Sequence, residues 1–259
     1  MLNYSTIGDG SNTIFVLHGI FGSLRNWRSF ALQLQRENSN YRIVLIDLRC
    51  HGGSHSQEPP HSLAACANDL VELGESIGHP EIVIGHSFGG KVALCYGRIA
   101  RPKQIWSLDS PPYYYNQDLS DAQRILTLLK SVPLPLKNRK ELVDFFLQRG
   151  FSLDFGRWMS TNLQPEEGGY GWRFDLEGIS DLLSDYFVQD LWHMVESPPA
   201  NTAVHVVRAD ESHRWDPQAI ARLDVLGDNS VHVLQGSGHW VHVDNPKGLL
   251  RILGDHLPH

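Results

Sequence analysis

Gly85-His86-Ser87-Phe88-Gly89-Gly90 is the stretch on which the reading of this chain turns. It follows the β-branched apolar run Ile82-Val83-Ile84 and leads into a helical pattern that begins near Gly89 and runs to about Ala100. A serine with glycine two positions to either side, set between a strand and a helix, has the form of a nucleophile elbow. So sharp a turn strains its central residue and crowds the flanks, which is why glycine is needed there. The turn lifts the Ser87 hydroxyl above the sheet edge. It also points the free N–H groups of the helix start, that of Phe88 among them, at the space beside the hydroxyl, which favours a developing oxyanion.

On either side of this stretch, short apolar runs alternate with helical patterns, the rhythm of strands feeding helices in a mostly parallel sheet. Thr13 to Leu17, Ile43 to Asp47 and Ile82 to Gly85 are nearly continuous in apolarity, as strands covered on both faces should be. Leu63, Cys66, Leu70, Leu73 and Ile77 recur at helical spacing behind an N-cap candidate, Ser62, and read as a crossover helix. Gln104 to Asp109, Ala203 to Arg208 and Val231 to Gln235 read as further strands, and Pro246 to His256 as a closing helix. From Ser110 to about Asn201 the rhythm breaks. That segment shows helical stretches near 118 to 131, 138 to 149 and 179 to 195, with no strong strand run. The expected architecture is an α/β fold with a mostly parallel central sheet, helices on both faces, and a helical lid inserted after the strand ending at Asp109. Residues 1–110 and 201–259 are assigned to the core and 111–200 to the lid.

The lid is rich in aromatics, including Tyr113, Tyr114, Tyr115, Phe146, Phe155 and Trp158. Most should pack the lid, and the remainder should line an apolar pocket between lid and core.

The chain has 259 residues with a formal charge of −7, which argues against the basic surface that nucleic acid requires. With 41% hydrophobic and 20% charged residues it lies far from the composition of disordered chains. Cys50, Cys66 and Cys95 are too few and too irregularly spaced for a disulfide framework or a structural zinc site, and suit a reduced, cytoplasmic protein. No apolar run approaches the ~18 residues of a membrane span. There is no signal-peptide pattern, phosphate loop or dinucleotide fingerprint, so no cofactor and no membrane partner is expected.

His18-Gly19-Ile20-Phe21-Gly22-Ser23 follows the strand ending at Leu17. In an open α/β sheet the carboxyl ends of the strands face one crevice, so this loop should meet the elbow. The N–H of Phe21, or that of Ile20, would then pair with the N–H of Phe88 as an oxyanion hole. His18 reads as a loop brace, because a better-placed histidine lies downstream. Gly236-Ser237-Gly238-His239-Trp240-Val241-His242 follows the last strand, and a glycine-flanked His239 on such a loop can serve as general base. His242 is the competitor, three residues on and in or beside the next element. Ile20 and Trp240 are the candidate substrate-binding residues.

Together these motifs, in this order, resemble the α/β-hydrolase superfamily. Asp47-Leu48-Arg49-Cys50-His51-Gly52 with Ser54 resembles the Asp-x-Arg-x-His-Gly-x-Ser turn of its small esterase branch. Within that branch the chain is similar to the abhydrolase-domain-11-like acyl hydrolases over residues 13–110 and 200–257. The resemblance implies a Ser–His–acid triad with His239 as base. For the acid two positions compete. The commoner arrangement uses the loop after the strand ending near Arg208, where Ser212 occupies the expected place and Asp210 and Glu211 sit out of register. The esterase branch takes its acid one strand earlier, where Leu108-Asp109-Ser110-Pro111 matches, and Asp109 is preferred. Asp47 and Arg49 are read as loop braces and Lys91 as structural or solvated.

The expected activity is hydrolysis of small to medium apolar carboxylic esters or thioesters through an acyl-enzyme on Ser87. The same triad could serve an amidase or a C–C bond hydrolase, since fold and triad do not select the leaving group. A non-catalytic ligand receptor on the same fold is the alternative of another class.

Overall fold

The computed structural model describes residues 1–114, 120–227 and 230–258. Tyr115 and the first two positions of the helix expected near 118 to 131 lie outside the described residues. The first half contains strands β1 (Tyr4–Ile7), β2 (Asn12–Leu17), β3 (Tyr41–Ile46), β4 (Ile82–His86) and β5 (Gln104–Leu108). Helices α1 (Arg28–Glu37), α2 (Leu63–Ile77) and α3 (Phe88–Ala100) connect them. Between β5 and the next strand of the main sheet come α4 (Asp121–Lys130), α5 (Arg139–Leu147) and α6 (Leu153–Ser160), a hairpin of β6 (Leu163–Glu166) and β7 (Gly169–Trp172), then α7 (Leu176–Val188) and α8 (Trp192–Glu196). The chain closes with β8 (Ala203–Ala209), α9 (Pro217–Asp224), β9 (Val231–Leu234), α10 (Val241–Asp244) and α11 (Pro246–Gly254).

The main sheet has seven strands in the order β1-β3-β2-β4-β5-β8-β9. Only β1 runs antiparallel, along β3 at the edge. The continuous apolarity of the central strands follows from cover on both faces. Phe15 and Leu17 of β2 join a core with α2, α3 and the lid, whereas Ile14 and Val16 join a second core with α1 and α11. Ser62 caps α2 by accepting the Ala65 N–H at 3.1 Å. Register then levels the carboxyl ends. Leu17 lies opposite Gly85, His86 opposite Leu108, and Leu108 opposite Val207. The loop after β2, Ser87, Asp109 and the loop after β8 therefore leave the sheet at one height.

The helical insertion after β5 is present as expected, with two departures. It contains the β6–β7 hairpin, although Leu-Gln-Pro-Glu and Gly-Tyr-Gly-Trp carry none of the β-branched signal of a strand. The helical stretch expected from 179 to 195 is two helices, because Gln189 is extended and Leu191 donates its N–H to the Pro112 carbonyl at 2.6 Å.

Candidate active site

β4 ends at His86 and α3 starts at Phe88, so the whole turn falls on Ser87. Its φ of 53° and ψ of −116° put a non-glycine residue in a sparsely populated region, and the surroundings must hold it there. Ser87 donates its N–H to the Leu108 carbonyl at 2.9 Å, and its own carbonyl accepts from Ser110 Oγ at 2.5 Å. The flanking glycines are enforced by backbone. A Cβ on Gly85 would sit 2.0 Å from the Gly89 carbonyl oxygen, and one on Gly89 would sit 2.6 Å from that of His18.

Asp109 follows β5 with a φ of 43° and is fully buried. Four donors converge on its carboxylate. Oδ2 accepts from His239 Nδ1 at 2.7 Å and from Ser212 Oγ at 2.6 Å. Oδ1 accepts from Trp215 Nε1 at 2.7 Å and from the Ala209 N–H at 3.3 Å. Burial works to raise the Asp109 pKa, but the bond to and charge of His239, with the Ser212 and Trp215 donors, hold it below the usual carboxylate range. Asp210, the competing acid, is exposed and accepts the Ser237 N–H at 3.0 Å, so it braces the loop that carries His239. Ser212 stands where the commoner arrangement would place its acid, and here it is a donor to Asp109.

Burial pulls the His239 pKa down to about 4; the Arg214 cation adds to this, while Asp109 opposes it. At neutral pH the imidazole is therefore neutral. With its Nδ1 proton given to Asp109, its Nε2 carries the lone pair. His86, the residue before the elbow serine, donates Nε2–H to the His239 carbonyl at 2.7 Å and so holds the loop. This role, like those of Trp215 and Arg214, was not read from the sequence; position next to Ser87 was the only signal for His86. His242 instead stacks on Trp27 with ring centroids 4.1 Å apart, within α10.

The loop after β2 departs from expectation. Phe21 has a φ of 59° in a turn closed by the Gly22 N–H and the Gly19 carbonyl at 3.0 Å. Its N–H is donated to His51 Nε2 at 3.2 Å, so the first choice of oxyanion donor already has a partner. The Ile20 N–H makes no such bond among the described residues. Phe88 is the first residue of α3, where a backbone N–H has no partner within the helix. Buried, neutral histidines explain the arrangement. His51, pushed down to about 3 by burial and then by His18, gives its Nδ1 proton to the Arg49 carbonyl at 2.8 Å and accepts at Nε2. His18 Nε2 accepts the Leu48 N–H at 3.0 Å, which makes it the loop brace expected.

Asp47 accepts from the Leu24 and Gly53 N–H groups, each at 2.8 Å. Arg49 grips Asp69 through two 2.7 Å bonds. Lys91 is fully buried and gives its three protons to the carbonyls of Tyr113, Tyr186 and Gln189 at 2.8, 2.9 and 2.8 Å, tying α3 to the insertion. Asn162 of the insertion donates to the Phe21 carbonyl at 3.0 Å.

Ser87, His239, Ile20 and Trp240 line one cleft, together with Phe155 and Trp158 of the insertion. The aromatics both pack and line: Phe146, Phe155, Trp158 and Trp240 form a chain with ring centroids 5.1, 5.6 and 4.5 Å apart in succession. Away from the cleft, the fold gathers Cys50, His61 and Asp175 with one ligand atom of each within 4.8 Å of the others. Cys50 Sγ lies 3.3 Å from His61 Nδ1, and burial pushes its thiol up to about 12. Among the described residues, no helix is long and apolar enough to cross a membrane.

Residues 14–252 match the model of the alpha/beta hydrolase family, and the chain belongs to that family. It is a hydrolytic enzyme. More particularly, it is 28% identical to the mouse (Mus musculus) sn-1-specific diacylglycerol lipase ABHD11, over 96% of this chain and 82% of that protein. It is 33% identical to an abhydrolase domain-containing protein of Schizosaccharomyces pombe, over 90% of this chain and 87% of that one. A solved marine microorganism esterase superposes with a TM-score of 0.84 at 25% identity, covering 99% of both chains.

Proposed function

We propose that the chain is a serine esterase or acyl hydrolase of the abhydrolase-domain-11-like branch, cleaving small to medium apolar carboxylic esters or thioesters. The observation that carries this reading is the 2.7 Å bond from His239 to the buried Asp109, in the cleft that also holds Ser87 on its strained turn. Ser87 Oγ attacks the carbonyl carbon as His239 Nε2 takes its proton, and Asp109 stabilises the imidazolium. The N–H groups of Phe88 and Ile20 receive the oxyanion; Ile20 replaces Phe21 in this role because Phe21 is bonded to His51. The imidazolium then protonates the departing alcohol or thiol, leaving an acyl-Ser87 ester. Water attacks that ester, His239 takes its proton and returns one to Ser87 Oγ, and the carboxylic acid leaves.

The division of labour proposed is a core of residues 1–110 and 201–259 under a lid of 111–200, whose Phe155 and Trp158 supply the apolar wall for the substrate. The unpaired, buried cysteines suit a reducing compartment, which supports a cytoplasmic location.

The test is phosphonylation. A fluorophosphonate should add once, at Ser87, by intact mass and peptide mapping, and Ser87→Ala should take up none. A folded protein that forms no adduct, or forms it elsewhere, overturns the serine assignment.

A further inference from the structure

Among the described residues, Arg214 is the one arginine or lysine that lines the cleft holding Ser87. Arg49 is clasped by Asp69, Arg222 by Glu196, and Arg139 donates to the Ser160 and Leu163 carbonyls. The Arg214 guanidinium has no ion-pair or hydrogen-bond partner among the described residues; only its backbone is tied, through Ser212 and Tyr113. Yet it is half-buried and lines both the cleft holding Ser87 and the chamber outside it. Its charge reaches His239 and His86. A cation there opposes the imidazolium that forms at His239 when Ser87 attacks, because like charges in a partly dry site repel more strongly than in water. An anion seated on the guanidinium removes that opposition and adds a charge-assisted hydrogen bond.

Two carboxylates lie in the same space, Asp121 in both the cleft and the chamber and Glu211 in the chamber. Both are exposed, and neither pairs with Arg214. Besides the Asp109 carboxylate, the charge that acts on His239 is that of Arg214. We propose that Arg214 receives a carboxylate of the substrate, so that the preferred substrates are esters or thioesters carrying a carboxylate near the scissile carbonyl. The apolar lid wall takes the rest of the molecule. This inference rests on the serine hydrolase reading above.

Two matched pairs of esters test it. On the acyl side, p-nitrophenyl hexanoate is compared with mono-p-nitrophenyl adipate; on the leaving-group side, phenyl hexanoate with 4-carboxyphenyl hexanoate. In at least one pair the wild type should favour the carboxylate by about tenfold or more in kcat/KM, the factor of one hydrogen bond to a charged group. Arg214→Gln should abolish that preference and Arg214→Glu reverse it, with thermal melts confirming the fold. The responsive pair identifies which side of the substrate carries the anion. Equal kcat/KM within both pairs, or a preference that survives Arg214→Gln, overturns this inference and leaves the serine reading standing. Hydrolysis of the neutral esters that persists in Ser87→Ala overturns the serine reading itself and this inference with it, as does a wild type that hydrolyses none of the four.

Discussion

Replacing Asp109 by asparagine separates the two candidate acids. The carboxylate accepts four hydrogen bonds, so an amide in its place must give up acceptors on one side. If its oxygen stays toward Trp215 Nε1 and the Ala209 N–H, its NH₂ group faces Ser212 Oγ and His239 Nδ1. The Ser212 hydroxyl can rotate to accept. His239 can accept only by moving its proton to Nε2, which removes the lone pair meant for Ser87. If the amide flips, His239 keeps the correct tautomer but the NH₂ group points at two donors. Leaving two buried donors unsatisfied costs about 2–6 kcal/mol. Activity must go through one of these states, so kcat should fall by about 10²- to 10⁴-fold. Asp210→Asn, at an exposed site, keeps an acceptor oxygen for the Ser237 N–H and should change kcat by no more than about two- to threefold. The assay is kcat on p-nitrophenyl butyrate at pH 7.5, with thermal melts confirming equal folding. An Asp109→Asn enzyme within threefold of wild type beside a dead Asp210→Asn would refute the assignment.

Two further outcomes follow from the surroundings of His239 and Lys91. His239 acts as base when neutral, and its pKa is held at about 4, so kcat/KM should stay level down to about pH 5 and fall about tenfold per unit below pH 4. A limb near 6.5 would show that the desolvation and the Arg214 charge do not act on His239 as argued. Lys91→Met should leave three lid carbonyls without their donor and lower stability by about 3 kcal/mol or more, read by chemical denaturation. A change under about 1 kcal/mol would mean that Lys91 does not fasten the insertion.

Much of the sheet could be read from the chain because strands buried on both faces advertise themselves as nearly continuous apolar runs rich in β-branched residues, as in β2, β3 and β4. The helix α2 announced its start through Ser62. The β6–β7 hairpin was silent, since its residues are held by Gly168 and Gly169 and by pairing with each other, not by strand propensity. α1 could have been found. Phe30, Ala31 and Leu34 are buried on one face of it at helical spacing. At the site, Ser87 and His239 stood out because glycines frame them. His86, Trp215 and Arg214 carried no such frame.

Local sequence alone determined the elbow, because a serine forced between a strand and a helix needs glycine where a Cβ would strike backbone. It also determined the class of chemistry, because a framed serine and a framed histidine at strand ends have few other uses. Sequence left two positions for the acid and two for the oxyanion donor, since neighbouring residues in a loop differ in direction more than in identity. Only tertiary structure gives these positions different surroundings. The register of β5 against β8 sets Asp109 where four donors meet, and the neutral imidazole of His51, folded in from another loop, claims the Phe21 N–H and leaves that of Ile20 without such a bond.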